Sequence, residues 1–117
     1  MSLRWIPITS IAEVESLKNR SHDLPCLLFK HSVRCNISAI AKYRLEDDWD
    51  FEDQEVEAYY LDLLEFRAVS QYVADTFQVF HESPQVLLIV QGECIYDASH
   101  LGITVEELKE SIGAIAA

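Results

Sequence analysis

Cys35 stands in the segment Lys30-His-Ser-Val-Arg-Cys-Asn-Ile-Ser38, between a short apolar run and a stretch of helix-compatible residues. A thiol is a useful nucleophile only as its thiolate, and a helix start favours that anion through unpaired backbone donors and the positive end of the macrodipole. Arg34 is its immediate neighbour and adds a permanent positive charge. From residue 30 to residue 44, Lys30, Arg34, Lys42 and Arg44 face no acidic residue, an island of positive charge around the candidate nucleophile. Ser38 follows three residues after Cys35, so the junction reads Cys-x-x-Ser and lacks the second thiol of a dithiol motif. A lone thiol of this kind must hold a mixed disulfide until another thiol arrives. Two roles stay open for Ser38, a hydroxyl beside the sulfur or a hydrogen-bonding group of the helix start. The competing reading makes Cys35 a small, partly buried residue without chemistry, since free cysteine packs readily as a hydrophobe.

The other candidates carry weaker signals. Cys26 lies mid-strand and Cys94 in a hairpin strand, neither beside a basic residue, so both read as core. His22, His31, His81 and His100 fall at no zinc-finger or metallo-helix spacing, and no metal site is expected. Asp97 and His100 precede a capped helix, where polar residues ordinarily satisfy backbone groups. The run from Glu46 to Glu55 holds seven acidic residues in ten with Trp49 and Phe51 embedded, but lacks the pattern of a calcium loop. It reads as a helix end and a solvated connection.

The elements that must position Cys35 follow from periodicity. Ser10-Ile-Ala-Glu13 has capping-box spacing and predicts a helix over about 10–20, with Ile11, Val14 and Leu17 on one stripe. Residues 25–30 form a short apolar run suited to a buried strand, and a helix follows Cys35. Residues 56–61 read as a second strand and 66–77 as an amphipathic helix with Val69, Tyr72, Val73 and Phe77 inward. Residues 84–90 and 93–96, joined by Gln91-Gly92, predict a β-hairpin. Thr104-Val-Glu-Glu107 caps a last helix striped by Val105, Leu108, Ile112 and Ile115. A helix followed by βαβαββα gives an α/β, thioredoxin-like order, a central mixed four-stranded sheet flanked by helices, in one domain over 1–117. Ser83-Pro84 enters the third strand, where an ordinary trans bond and a cis bond are both open.

Composition narrows the partners. With 9 Lys+Arg against 20 Asp+Glu, the net charge of −11 argues against nucleic acid and anionic membranes. The longest apolar run, Val86 to Val90, is far shorter than the roughly 20 residues of a membrane span. Three cysteines, with no export-type leader, fit the reducing cytoplasm. The three glycines form no phosphate loop.

Three segments resemble the YtxJ-like monothiol bacilliredoxins, small thioredoxin-like proteins of bacillithiol redox homeostasis. Phe29-Lys-His-Ser-Val-Arg-Cys-Asn-Ile-Ser38 is similar to FKHSTRCPIS, His81-Glu-Ser-Pro-Gln-Val86 to HESPQV, and Ala98-Ser-His100 with Ile103-Thr104 to a third family segment. The resemblance implies that Cys35 is the redox-active thiol, with Arg34 and Ser38 completing the catalytic set and Ser38 replacing a resolving cysteine. It also implies that Ser83-Pro84 is a cis-proline loop, and that Asn36, Ile37, Ser83 and Pro84 meet the substrate. The implied cosubstrate is bacillithiol, with no tightly bound cofactor. The implied partners are S-bacillithiolated client proteins and a second low-molecular-weight thiol. Asn36 stands where the family has proline and Val33 where it has threonine, which leaves the junction looser and adds a backbone N–H near the sulfur. The alternative is a thioredoxin-like binding or adaptor protein with a non-catalytic Cys35, whose acidic face uses Trp49 and Phe51 to recognise a partner.

Overall fold

The computed structural model describes residues 3–116. The elements run β1 (Trp5–Pro7), α1 (Ile11–Arg20), β2 (Cys26–His31), α2 (Asn36–Asp48), β3 (Glu57–Asp62), α3 (Arg67–Phe77), β4 (Gln85–Val90), β5 (Glu93–Ser99) and α4 (Val105–Ala116), with one 3-10 turn at His100–Gly102. They build a mixed sheet in the order β1-β3-β2-β4-β5. β2 and β3 are parallel, and β4 runs antiparallel to β2 and to β5. The sheet has five strands where the sequence reading expects four. The extra strand, β1, is three residues long and ends in Pro7, too short for a period-2 signal. It pairs parallel with β3, and Trp5 stacks on Phe29 at 5.5 Å between ring centroids.

Side chains alternate across the pleat, so each strand feeds two cores. Cys26, Leu28, Leu61, Leu87 and Ile89 pack under α1 and α3 with Val14, Leu17, Val69, Val73 and Phe77. Leu27, Phe29, Ala58 and Val86 face α2 and α4 with Ala41, Leu45, Val105 and Leu108. Ser10 caps α1 as its spacing requires, Oγ accepting from Glu13 N at 3.2 Å. The Glu13 carboxylate reaches one residue further back than the capping-box pattern, taking the Thr9 N–H at 2.7 Å. Thr104 Oγ1 accepts from Glu107 N at 3.2 Å and opens α4. The ends of two predicted stripes, Ile11 in the first turn of α1 and Ile115 in the last of α4, are exposed instead.

The acidic segment requires a correction. α2 runs on to Asp48, and Trp49 and Phe51 are both buried, packed edge to face at 4.8 Å between ring centroids. Apolar area drives the rings inward while the carboxylates around them stay wet. The two aromatic anchors of the adaptor reading therefore belong to the core, and no partner can grip them there.

Candidate active site

β2 and β3 end, and β4 begins, at one end of the sheet: Lys30 pairs with Leu61 on one side and with Gln85 on the other. Cys35 follows β2 there as the N-cap of α2, half-buried, with φ −110° and ψ 121°. Its N–H donates to Ser32 O at 3.1 Å, and its carbonyl accepts from Ala39 N at 3.1 Å, which anchors the thiol at the helix start. Its side chain caps nothing, so the sulfur is not committed to the helix. Arg34, Asn36 and Ile37 are exposed around it.

Ser38 is fully buried and its Oγ accepts from Ser32 N at 3.0 Å and lies 2.6 Å from His31 Nδ1. Having accepted from the backbone, the buried hydroxyl satisfies its own proton by donating to Nδ1, so the neutral His31 ring carries its hydrogen on Nε2. Burial, with Lys42 nearby, pushes the His31 pKa down and favours that neutral form. Of the two roles open for Ser38, the structure builds the second: the hydroxyl ties the strand end to the first turn of α2. Among the described residues no hydrogen bond joins it to Cys35.

The positive island is dispersed on folding. Lys42 is paired with Glu46 at 2.8 Å, and Lys30 is buried on the opposite face of the sheet from α2. A linear charge count cannot register this alternation, and Arg34 remains as the basic neighbour of Cys35 in sequence.

The Ser83–Pro84 peptide bond is cis. Pro84 is buried, its carbonyl accepts from His100 N at 3.1 Å, and it sits one residue before the pairing of Gln85 with Lys30. Ser83 Oγ is buried and makes no hydrogen bond among the described residues. The structure thus brings Ser83 and Pro84 to the end of the sheet that Cys35 occupies.

The remaining thiols lie elsewhere. Cys26 opens β2, and Ile89 pairs with both Cys26 and Cys94, so these two cysteines sit at the far end of the sheet. Burial pushes Cys26 up to about 12 and Cys94 up to about 11, which keeps both as unreactive thiols. Sequence reasoning named Lys30 in the charge island and His31 and His81 among the histidines without joining them to one another, and missed Ser70. Lys30 in an apolar run was the available signal; the contacts of the other three depend on tertiary structure.

A strand, a lone cysteine at the following helix start, and a proline loop entering the neighbouring antiparallel strand define a thioredoxin-fold domain with a monothiol junction. Solved structures agree. The chain is similar to a presumed oxidoreductase with a thioredoxin fold, at 30% identity and a TM-score of 0.78, with 91% of each chain covered. It shares the fold of a thioredoxin from Malassezia sympodialis (17% identity, TM-score 0.73, 100% of this chain and 96% of that one covered). Thioredoxin f from spinach chloroplast is likewise similar in fold, at 13% identity and a TM-score of 0.71, covering 99% and 96%. The family described as Monothiol bacilliredoxin BrxC matches residues 6–108, and the chain belongs to that family. Its role is accordingly a thiol redox role of the bacilliredoxin type.

Proposed function

We propose that the protein removes bacillithiol from S-bacillithiolated proteins of the cytoplasm through Cys35. The observation that carries this reading is the placement of the thiols: Cys35 is at the end of the sheet where the Ser83–Pro84 loop enters β4, and Cys26 and Cys94 are at the other. With no internal thiol in reach, an adduct on Cys35 waits for a second molecule. The Cys35 thiolate attacks the bacillithiol sulfur of the client disulfide. One S–S bond forms between Cys35 and bacillithiol as the client S–S bond breaks, and the client leaves as a thiolate that takes a proton from water. A low-molecular-weight thiolate then attacks the bacillithiol sulfur on Cys35, restoring the Cys35 thiolate and leaving as the mixed disulfide. Both steps are exchanges with no net electron demand, and neither uses a tightly bound cofactor.

Arg34 stands beside Cys35 at the start of α2, and Ser38 holds the junction in place. Asn36 and Ile37 on one side, and Ser83 and Pro84 on the other, form the contact surface for the incoming disulfide. The unpartnered Ser83 Oγ supports this assignment, since a buried hydroxyl without a partner gains a hydrogen bond when a ligand backbone reaches it. Exposed Val33, Ile37 and Ile40 supply an apolar rim next to Cys35 for a client surface.

Intact-protein mass spectrometry after mixing with a bacillithiolated client tests the reading. One bacillithiol is expected on the wild type, mapped to Cys35, and none on Cys35→Ser. Absence of the adduct while Cys35 still reacts with a small alkylating agent would overturn it and return the adaptor reading without its aromatic anchors.

A further inference from the structure

On the α3 side of the same sheet end lies a polar cluster that the exchange chemistry does not use. Lys30 is fully buried, with Nζ 3.1 Å from Ser70 O and 3.3 Å from His81 Nδ1. Neither partner is anionic, and among the described residues Lys30 forms no ion pair. A buried ammonium held only by neutral acceptors is costly, and a countercharge brought to it is correspondingly favoured. Ser70 Oγ also lies 3.3 Å from His81 Nδ1. With Nδ1 engaged as an acceptor, the ring proton sits on Nε2, which remains free to donate.

A cleft of about 190 Å³ opens beside this cluster, lined by Leu63, Arg67, Ser70, Gln71 and His81. Arg67 is exposed and, among the described residues, has no carboxylate partner. Four carboxylates flank these segments, Asp62 accepting from Leu64 N and Glu65 N, Asp75 from Gln71 Nε2, Glu82 from Ser99 Oγ, and Glu65 exposed, but none of them lines the cleft. The cleft lining therefore offers one cation, Arg67, and further donors with no carboxylate among them, on a chain of net charge −11. Leu63 N donates to His31 O, so the loop that walls the cleft is fastened to the end of β2 from which Cys35 departs.

We infer that this cleft receives a carboxylate of the low-molecular-weight thiol being transferred, with Arg67 and His81 Nε2 as its contacts and Lys30 as the buried countercharge. The inference rests on the reading of Cys35 as the acceptor of that thiol. Bacillithiol carries its carboxylates on a malyl group remote from its sulfur. With the sulfur at Cys35 and the malyl group in the cleft, the molecule lies across the end of β2.

The test compares two mixed disulfides of one peptide, formed with bacillithiol and with cysteamine, which has no carboxylate. For Arg67→Gln, the ratio of kcat/KM between the bacillithiol and cysteamine substrates is expected to fall about tenfold, the effect of one lost charge-assisted contact. An unchanged ratio, including an equal loss on both substrates, would overturn the inference. Because the variant changes an exposed side chain, folding is not at stake. A second measurement needs no thiol chemistry: L-malate is titrated into the Cys35→Ser protein and followed by amide NMR. Shifts confined to Arg67, Ser70, Gln71 and His81 support the cleft, and their absence overturns it. If the wild type accepts bacillithiol from no substrate while malate still shifts these amides, the transfer reading has failed and the anion site stands.

Discussion

Ser38 shows how one hydroxyl can be committed to architecture at a position three residues from the Cys35 thiol. Its bonds to Ser32 N and His31 Nδ1 join a strand end to a helix start with no water needed. Ser38→Ala leaves a buried N–H and a buried ring nitrogen unmatched, and the expected loss of stability is about 2 kcal/mol, measured by urea unfolding. A loss below about 0.5 kcal/mol, the level of an ordinary surface substitution, would mean that the pair is not structural. Local spacing alone raised Cys35, Arg34 and Ser38 as candidates. The contact of His31 with Ser38 was not legible, because the partners lie seven residues apart across a change of element that no periodicity encodes.

At the scale of elements, the β4–β5 hairpin illustrates a turn whose chemistry is written in two residues. Gln91 at φ 54° and Gly92 at φ 79° both occupy the left-handed region, as a two-residue hairpin loop of type I′ demands. The turn also docks on the C-terminal end of α1: Gln91 N donates to Ser21 O at 3.0 Å and Gly92 N to Ser21 Oγ at 2.8 Å. A Cβ at Gly92 would lie 3.3 Å from His22 Nε2 in a backbone conformation that disfavours it. Gly92→Ala is therefore expected to cost about 1–2 kcal/mol, seen as a drop of several degrees in thermal midpoint; an unchanged midpoint would contradict this account. The capped helices and the hairpin were readable because caps and turns are local. β1 was not, since three residues become a strand only when β3 offers its edge.

For the whole molecule, the buried Lys30 couples stability to pH. Burial pushes its ammonium down from 10.5 to about 8. Between those values the unfolded chain holds one more proton than the folded one, so stability rises with pH across the window. Below about 8 both states are protonated and the folded state bears the full cost of the buried charge. Relative to Lys30→Met, which has no charge to bury, the wild type is expected to gain up to about 3 kcal/mol from pH 8 to 10.5. Chemical unfolding of both proteins across that range measures it, and parallel profiles would show that Lys30 is not desolvated. The comparison cancels the buried thiols and tyrosines, which titrate in both proteins and act in the opposite direction.

Among the described residues no helix is long and apolar enough to cross a membrane, in line with the five-residue limit of the apolar runs. Apolar periodicity, two capping signals and one glycine turn determined the α/β order and put Cys35 at a helix start. These are properties of neighbours along the chain, where spacing dictates which face a side chain takes. The tertiary structure alone decided which polar groups meet. The pleat carried Lys30 away from Cys35 and under α3. Burial drew Trp49 and Phe51 out of a segment that looked wet. The antiparallel register set Ser83 and Pro84 at Cys35's end of the sheet and left Cys26 and Cys94 at the other, because strand direction and pairing are fixed by packing between distant segments and not by any one of them.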